Sequence, residues 1–163
     1  MTPLNQIRQK LFEKDDLIRQ TKAWKSEGLK IVFTNGCFDI IHPGHIDYLA
    51  KAASLGDKLI IGVNTDRSVQ KLKGPNRPIQ DQDARTFILA ALGFVSAIVL
   101  FDEDTPASLI SEIKPDFLVK GADYTIDQVV GADTVIKSGS SVVLLPYLKG
   151  YSTSGIERKI KEG

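Results

Sequence analysis

The sequence predicts an α/β fold in which a doubly wound, five-stranded parallel sheet is covered by helices on both faces. Short apolar runs rich in β-branched residues recur along the chain, and stretches of helical character separate them. This alternation is typical of βαβ units. No linker-like or low-complexity tract interrupts the 163 residues. We therefore expect a single domain, with a helical N-terminal extension over residues 1–28 and an α/β core over residues 29–163.

The first third of the chain predicts helix, strand and helix in turn. Apolar residues at helical spacing predict one or two amphipathic helices over residues 3–27, which Gly28 ends. The run KIVFTN (30–35) predicts a buried strand. Pro43 suits the first turn of a helix, where a missing N–H costs nothing. That helix is expected to reach about Ser54, with Gly56 ending it.

The rest of the chain continues the alternation. Asp81 is expected to cap one of the helices, and Thr105 to cap another that has Pro106 at its first position. The predicted strands are 58–64, 97–101, 116–120 and 141–146, and the predicted helices are 81–92, 105–113, 126–137 and 153–161. Residues 65–80 are predicted to form a loop, because they contain Gly74, Pro75, Asn76 and Pro78.

Parallel sheets of this kind bind ligands beyond the carboxyl ends of their strands, where the strand order reverses. The functional loops are therefore expected at 35–45, 65–78, 120–125 and 146–154.

Composition narrows the class of protein. The net charge is +1, so no global basic field indicates nucleic acid. One cysteine excludes an internal disulfide and a thiolate-rich metal site. No apolar run approaches the ~18–20 residues of a membrane span, and charges stand where a signal peptide needs its apolar region. We expect a cytoplasmic protein that binds neither nucleic acid nor membranes.

The segment TNGCFDIIHPGH (34–45) contains the only two histidines of the chain, His42 and His45. A zinc site is disfavoured, because the spacing is i, i+3 and no third histidine exists. Packing is the second interpretation. Phosphate binding is the third, because a helix N-terminus offers free N–H groups to an anion and Gly44 permits close approach. Neither the P-loop nor the dinucleotide-binding pattern occurs.

HPGH, following a strand, resembles the HxGH signature of the nucleotidyltransferase superfamily. Five segments in order resemble the heptose 1-phosphate adenylyltransferases, which act alone or as one domain of a bifunctional ADP-heptose enzyme. They are IVFTNGCFDIIHPGH, GVNTDRSVQKLKGPNRPI, FDEDTP, PDFLVKGADY and YSTSGIERKI. No sugar-kinase segment accompanies them, so the chain resembles the stand-alone form. The resemblance implies a Rossmann-like fold.

The resemblance also implies an enzyme that uses ATP, with Mg²⁺ on its phosphates, and a sugar 1-phosphate; a homodimer is expected as well. AMP would pass to the sugar phosphate and pyrophosphate would leave. A phosphate nucleophile is already ionised near neutral pH, so no general base is required. Two alternatives stay open: a cytidylyltransferase acting on glycerol 3-phosphate or a similar polyol phosphate, and a non-catalytic nucleotide-binding module.

The resemblance assigns roles to residues in three groups. The catalytic residues are His42, His45 and Lys71. The nucleotide-binding residues are Thr34, Asn35, Gly36, Cys37, Phe38, Gly44, Gly121, Asp123, Ser152, Thr153 and Ser154. The sugar-phosphate-binding residues are Asp39, Asn64, Asp66, Lys73, Arg77 and Arg85.

Several of these residues also have structural interpretations. Ser152 serves as a helix cap in the simplest reading, and Asp66 as a turn cap. Asp39 is expected to cap the helix or to fix a histidine tautomer. Arg85 is either a surface charge or the arginine that orients loops or phosphates. Cys37 is expected to be a small packed residue and not a nucleophile.

Overall fold

A computed structural model describes all 163 residues, and it contains one six-stranded parallel sheet in the order β1-β4-β3-β2-β5-β6. The strands are β1 (Leu11–Phe12), β2 (Ile31–Gly36), β3 (Lys58–Asn64), β4 (Ala97–Phe101), β5 (Phe117–Gly121) and β6 (Ser141–Leu145). The helices are α1 (Pro3–Arg8), α2 (Lys14–Ser26), α3 (Pro43–Ala53), α4 (Asp66–Lys73), α5 (Gln82–Ala90), α6 (Ala107–Ile113), α7 (Ala132–Lys137) and α8 (Thr153–Glu162).

Both faces of the sheet are buried, which confirms the doubly wound α/β prediction. Successive residues of β2 point to opposite faces. Ile31 and Phe33 pack with Leu17 of α2 and with residues of α6 and α7, whereas Val32 packs with Leu49 of α3. The two apolar clusters lie on opposite sides of the same strands. Both faces are covered, so the strands read as continuous apolar runs.

The prediction of five strands was wrong by one. Leu11 and Phe12 form a short edge strand that pairs in parallel with Ile98 and Val99 of β4. The helical spacing of Leu4, Ile7, Leu11 and Ile18 concealed it, because two residues carry no period of their own. The N-terminal extension therefore contributes to the sheet, and two helices flank the strand.

Three other elements differ from their predictions. Residues 66–73, predicted as loop, form α4, which Thr65 caps by accepting from the Ser68 N–H; the breakers begin only at Gly74. The predicted helix 126–137 is a 3₁₀ turn (Ile126–Gln128) followed by α7. Helix α6 begins at Ala107, so Pro106 is its cap residue and not its first helical residue. Asp81 caps α5 as predicted, accepting from the Ala84 N–H at 2.8 Å.

The helix ends near Gly28 and Pro43 agree with the sequence. Gly28 follows the cap residue of α2 with a φ of +80°, a conformation that glycine adopts at little cost. Pro43 is the first residue of α3. None of the helices combines the length and the apolar character that a membrane-spanning segment needs.

A buried arginine links the turns at the carboxyl edge of the sheet. Arg85 of α5 is 0 % exposed. Its guanidinium donates to the carbonyl oxygens of Gln80 and Cys37 and to the Asp66 carboxylate, the last at 2.8 Å. One side chain thereby holds the ends of β2 and β3 and the loop before α5. Its removal would leave three acceptors without a partner.

We expect Arg85→Met to lower the free energy of unfolding by about 2–3 kcal/mol, because its loss leaves the carbonyl oxygens of Gln80 and Cys37 and the half-buried Asp66 carboxylate without their hydrogen-bond donor. Urea denaturation followed by circular dichroism measures this. Arg8→Met, at an exposed arginine, is the matched control and is expected to change the midpoint little. Equal midpoints for the two variants would contradict the linking role of Arg85.

Candidate active site

A cleft of about 380 Å³ opens at the carboxyl end of the sheet, where the strand order reverses between β2 and β5. This is where parallel α/β sheets bind ligands. Ten of the residues that line it were assigned to the functional site from the sequence: Asn35, Gly36, Cys37, Phe38, Asp39, His45, Asn64, Lys73, Gly121 and Thr153. The structure therefore brings together residues from all four loops expected to be functional.

The two histidines stack against each other at the start of α3. Their ring centroids are 3.9 Å apart and their planes differ by 27°. His42 is the cap residue, and its Nδ1 accepts a hydrogen bond of 3.1 Å from the Gly44 N–H. An Nδ1 that accepts leaves the proton of the neutral ring on Nε2. His42 therefore presents an N–H donor and lines a shallow groove, while His45 lines the cleft.

Close backbone approach shapes this turn. A Cβ on Gly44 would lie 2.9 Å from the His42 ring, and a Cβ on Gly36 would lie 2.9 Å from the Phe38 ring. Phe38 itself has a φ of +50°, which is uncommon for a bulky residue. Its ring meets that of His45 edge-on, with centroids 5.4 Å apart. Strain of this kind clusters at functional sites.

Both imidazoles are uncharged at neutral pH. Burial, the neighbouring His42 and the ammonium of Lys73 lower the pKa of His45 to about 4, against a smaller opposite effect of the Ile40 backbone. Burial also lowers the pKa of His42. The Nδ1 atom of His45 is buried and has no hydrogen-bond partner of good geometry in the protein. The pair therefore presents hydrogen-bonding groups, and not a fixed positive charge, to whatever enters.

Asp39 holds the loop over residues 74–80 and hydrogen bonds to neither histidine. It is 2 % exposed and accepts from the backbone N–H groups of Ile79 and Gln80 and from Arg77, all at 2.9 Å. Burial raises its pKa, but these donors outweigh burial and keep the pKa below the ordinary value. The expected roles as helix cap and histidine partner are wrong, because His42 caps α3.

Other residues predicted to bind the sugar phosphate are engaged within the protein. Arg77 is paired with Asp39 and with Glu157 of α8. Asn64 is buried and donates to the Ser68 hydroxyl at 2.9 Å. Arg85 is buried among the loops, so the surface-charge interpretation is wrong; a direct contact with a substrate would require those loops to rearrange.

Of the two lysines of α4, Lys73 and not Lys71 lines the cleft. Lys71 is exposed and lies 3.5 Å from the Asp104 carboxylate. Lys73 has no carboxylate within ion-pair distance and acts electrostatically on His45 and Cys37. The geometry therefore favours Lys73 as the lysine that meets a phosphate, and the catalytic role assigned to Lys71 stays a prediction.

Thr34 and Cys37 play structural parts in this conformation. The Thr34 side chain is buried and hydrogen bonds to the Tyr48 hydroxyl at 2.9 Å and to the Val119 carbonyl at 3.0 Å. It does not line the cleft. Burial raises the pKa of the Cys37 thiol. A protonated thiol is a poor nucleophile, in agreement with the expected packing role.

The start of α8 borders the cleft on its other side. Ser152 caps the helix, with its hydroxyl accepting from the Gly155 N–H at 2.9 Å. Thr153 lines the cleft, and Ser154 is exposed. Gly121 packs against the phenol of Tyr147. Burial, and after it the carboxylate of the exposed Asp123, raise the pKa of this tyrosine to about 12.

Several lining residues carried no prediction, above all Lys120 at the end of β5, together with Tyr48, Tyr124 and Tyr147. A signal for Lys120 was present, because it is the only charged residue of the apolar run FLVKG. A lone charge at the carboxyl end of a buried strand faces the ligand-binding edge. The tyrosines carried no comparable signal. No group of three or more His, Cys, Asp or Glu side chains comes together in the structure.

A model of the cytidylyltransferase-like family matches residues 33–158, a range that includes every residue lining the cleft. The chain belongs to this family. Curated relatives include the bifunctional proteins HldE of Mesorhizobium japonicum (52 % identical over 153 residues, 94 % of this chain) and Gluconobacter oxydans (54 % over 140 residues, 86 % of this chain). The chain spans about three tenths of their length: 31 % and 29 %.

Two solved structures show similar folds to this cytidylyltransferase-like chain. A lipopolysaccharide core biosynthesis protein from Thermoplasma volcanium aligns with a TM-score of 0.61 at 32 % identity, over 77 % of this chain and 100 % of that one. A pantoate-β-alanine ligase from Francisella tularensis aligns with a TM-score of 0.51 at 18 % identity, over 88 % and 75 % of the two chains. The second shows likeness of fold alone.

We expect His45 to titrate near pH 4 and His42 below its ordinary pKa of 6.5, because burial disfavours the charged rings. Proton–carbon NMR of the two imidazoles measures both pKa values, and His42→Asn assigns the signals. The same chain in urea is the control, with both rings near ~6.5. A folded His45 that titrates above pH 6 would contradict the site geometry.

The same shift affects stability. The folded His45 pKa lies below the unfolded one, so the unfolded chain binds more protons between about pH 4 and pH 6.5. This stabilising contribution is complete above pH 6.5 and is lost as the pH falls through that window. As the pH falls from 6.5 to 4, we expect the free energy of unfolding of His45→Asn, measured by urea denaturation, to decrease less than that of the parent chain. Parallel plots of the free energy of unfolding against pH for the two proteins would contradict this.

Proposed function

We propose that this chain transfers AMP from ATP to heptose 1-phosphate, giving ADP-heptose and pyrophosphate for lipopolysaccharide core synthesis. The observation that carries the proposal is the stacked His42–His45 pair beside a cleft at the reversal of strand order. The relatives support the choice of reaction, because HldE is named as bifunctional and this chain matches a part of it. The solved relative named for lipopolysaccharide core biosynthesis supports the same setting.

The reaction is an in-line displacement at the α-phosphorus of ATP. An oxygen of the sugar phosphate forms the new bond to phosphorus, the bond to the bridging oxygen breaks, and pyrophosphate leaves with the electron pair. Because the attacking phosphate is already ionised, the protein has no proton to remove. Its work is alignment and the stabilisation of charge on the phosphoryl oxygens. Neither imidazole is paired with a carboxylate, which agrees with a reaction that needs no general base.

The histidines are suited to that work in their uncharged form. The Nε2–H of His42 is fixed as a donor by the hydrogen bond from Gly44 to Nδ1. His45 stacks on it and faces the cleft. Donors fixed before the reaction cost no reorganisation when charge develops. A bound triphosphate would raise the pKa of both rings and strengthen these hydrogen bonds.

The remaining phosphates of ATP fit the start of α8 and the end of α4. The free N–H groups at the start of α8, with Ser152, Thr153 and Ser154, suit the β- and γ-phosphates that leave as pyrophosphate. Lys73 lines the same cleft without a carboxylate partner. Mg²⁺ enters with ATP as part of the substrate, bound by phosphate oxygens and water. The homodimer, the cytoplasmic location and the single-domain organisation stay predictions.

We expect His42→Ala and His45→Ala each to lower kcat by about 10²–10³, the effect of losing one donor to a charged transition state. Pyrophosphate release from ATP and D-glycero-β-D-manno-heptose 1-phosphate measures this. Lys22→Ala, at an exposed residue of α2 on the far side of the sheet, is the control. A near-normal kcat in both variants would show that the two histidines have no catalytic role.

The same assay separates the competing activities. Turnover of CTP with glycerol 3-phosphate, and none with ATP and the heptose phosphate, would show that the protein is a cytidylyltransferase and would contradict the proposal. Tight binding of ATP without pyrophosphate release from any sugar or polyol phosphate would indicate a non-catalytic binding module.

A further inference from the structure

The two strands that border the cleft are joined over only part of their length. Strands β2 and β5 form backbone pairs at two positions, Val32 with Phe117 and Phe33 with Leu118, although both strands continue beyond them. On their other sides, β3 pairs with β2 and β6 pairs with β5 as far as the last residue of each. The sheet therefore consists of two fully paired parts that separate beyond Phe33, and the cleft opens in this split.

A chain of three polar groups spans the start of this split. Thr34, the next residue of β2, donates its hydroxyl proton to the Val119 carbonyl of β5 at 3.0 Å. The Tyr48 hydroxyl of α3 lies 2.9 Å from the same Thr34 oxygen. A hydroxyl carries one proton and a carbonyl can only accept. The Thr34 proton is committed to Val119, so Tyr48 donates to Thr34, and the chain runs from α3 through β2 to β5.

The members of this hydroxyl chain are buried, and the tyrosine ring is held on a second side. Thr34, Tyr48 and Val119 are all buried. Burial raises the pKa of the Tyr48 phenol, so the phenol keeps its proton and stays a donor. Its ring stacks with that of Tyr147, with centroids 5.9 Å apart, and Tyr147 packs against Gly121 at the end of β5. The Tyr48 hydroxyl is therefore confined to the position in which it reaches Thr34.

Tyr48 also connects the hydroxyl chain to the histidines. It lies three residues after His45 in α3, so the two side chains share one side of the helix, and both line the cleft. The bond from Tyr48 to Thr34 is the only side-chain hydrogen bond between α3 and the sheet. The rest of their contact is apolar packing, by Leu49 and Ala52 among others, which is not directional. One hydrogen bond therefore sets the rotation of the helix that carries His45.

We propose that Tyr48 and Thr34 are positioning residues of the proposed transfer reaction. Their hydroxyls fix the rotation of α3 against β2 and the separation of β2 from β5, and they thereby hold His45 in the orientation that the transferring phosphate requires. Neither hydroxyl acts on the substrate itself. This inference rests on the proposed function, because it concerns the alignment of a group used in that reaction.

Alignment is the property on which this reaction depends most. The protein has no proton to remove from the attacking phosphate, so its contribution to the rate comes from donors placed where charge develops. A misplacement of about 1 Å, caused by a change far from the reacting atoms, can lower a rate by about 10²-fold. A group that is misplaced only relative to the transition state affects kcat more than KM. The loss of the hydroxyl chain should therefore appear in kcat.

Removing either hydroxyl tests the proposal. In Tyr48→Phe and Thr34→Val we expect kcat for pyrophosphate release to fall about 10- to 100-fold, while the KM for ATP stays within about threefold. Thr34→Ser keeps the hydroxyl and should hold kcat within about threefold of the parent chain. The double variant Tyr48→Phe/Thr34→Val should be no slower than the slower single variant, because both changes break the same chain. Losses that multiply would show that Tyr48 acts independently of Thr34, and they would overturn the proposal.

A matched control separates the positioning of His45 from a general loss of stability. Thr21 of α2 is also a buried threonine that donates to a carbonyl, that of Ile18 at 2.9 Å, but it does not line the cleft. Thr21→Val should lower the melting temperature and leave kcat at the parent value, in assays run where circular dichroism shows each variant folded. An equal fall of kcat in Thr21→Val and Thr34→Val, or an unchanged kcat in Tyr48→Phe, would overturn the proposal.

Hydrogen–deuterium exchange distinguishes failure of this inference from failure of the proposed function, because it needs no turnover. In Tyr48→Phe we expect amide exchange over residues 43–50 and 119–121 to accelerate about three- to tenfold, as for the loss of one buried hydrogen bond, and to stay at the parent rate in Thr21→Val.

The two measurements together give separate outcomes. If the parent chain releases no pyrophosphate but exchange changes as expected, the proposed function fails and the holding of α3 by the hydroxyl chain stands. If the parent chain turns over and Tyr48→Phe matches its kcat, the inference fails alone. Unchanged exchange in Tyr48→Phe would overturn the inference whatever the activity.

Discussion

The reversal of strand order between β2 and β5 is the constraint on which the rest of the molecule depends. β3 and β4 extend the sheet on one side of β2, and β5 and β6 extend it on the other. The connections after β2 and β5 therefore leave in different directions, and a cleft opens between them. The turn into α3, the end of α4, the end of β5 and the start of α8 all border this gap, although they are far apart in the sequence.

Buried charged side chains hold the loops around this gap in place. Arg85 ties the turns after β2 and β3 to the loop before α5, and Asp39 ties the 74–80 loop to the turn before α3 through two backbone N–H groups and Arg77. Such groups lose much of their hydration on folding. Only a specific arrangement of hydrogen bonds and opposite charges compensates for that loss. They fix the position of the turn that carries His42 and His45, and they leave few unpaired charges in the cleft. Lys73 and Lys120 are the lysines of the cleft without a carboxylate partner.

The regular parts of the fold were predictable because they rest on local signals. The apolar strands, Gly28, Pro43 and Asp81 each act within a few residues, and the structure agrees with all of them. Leu11–Phe12 and α4 were missed for opposite reasons. A two-residue strand has no period, and its pairing with β4 joins residues more than eighty positions apart. The glycine and prolines that follow α4 led to the prediction of a loop for the whole segment, although they begin only after the last turn of the helix.

The residues of the site were predictable as members of the cleft but less so in their roles. A charge in a sequence does not reveal whether its partner lies in the protein or in a ligand. Arg77 and Lys73 stand four residues apart in one basic segment, yet Arg77 is paired with two carboxylates and Lys73 with none. Only the packing of distant loops decides this difference. The unmatched groups, His45 Nδ1, Asn35 Oδ1, Lys73 and Lys120, are those whose remaining partners the chain itself does not supply. All four line the same cleft, so the incomplete bonding of the protein is concentrated where a substrate would complete it.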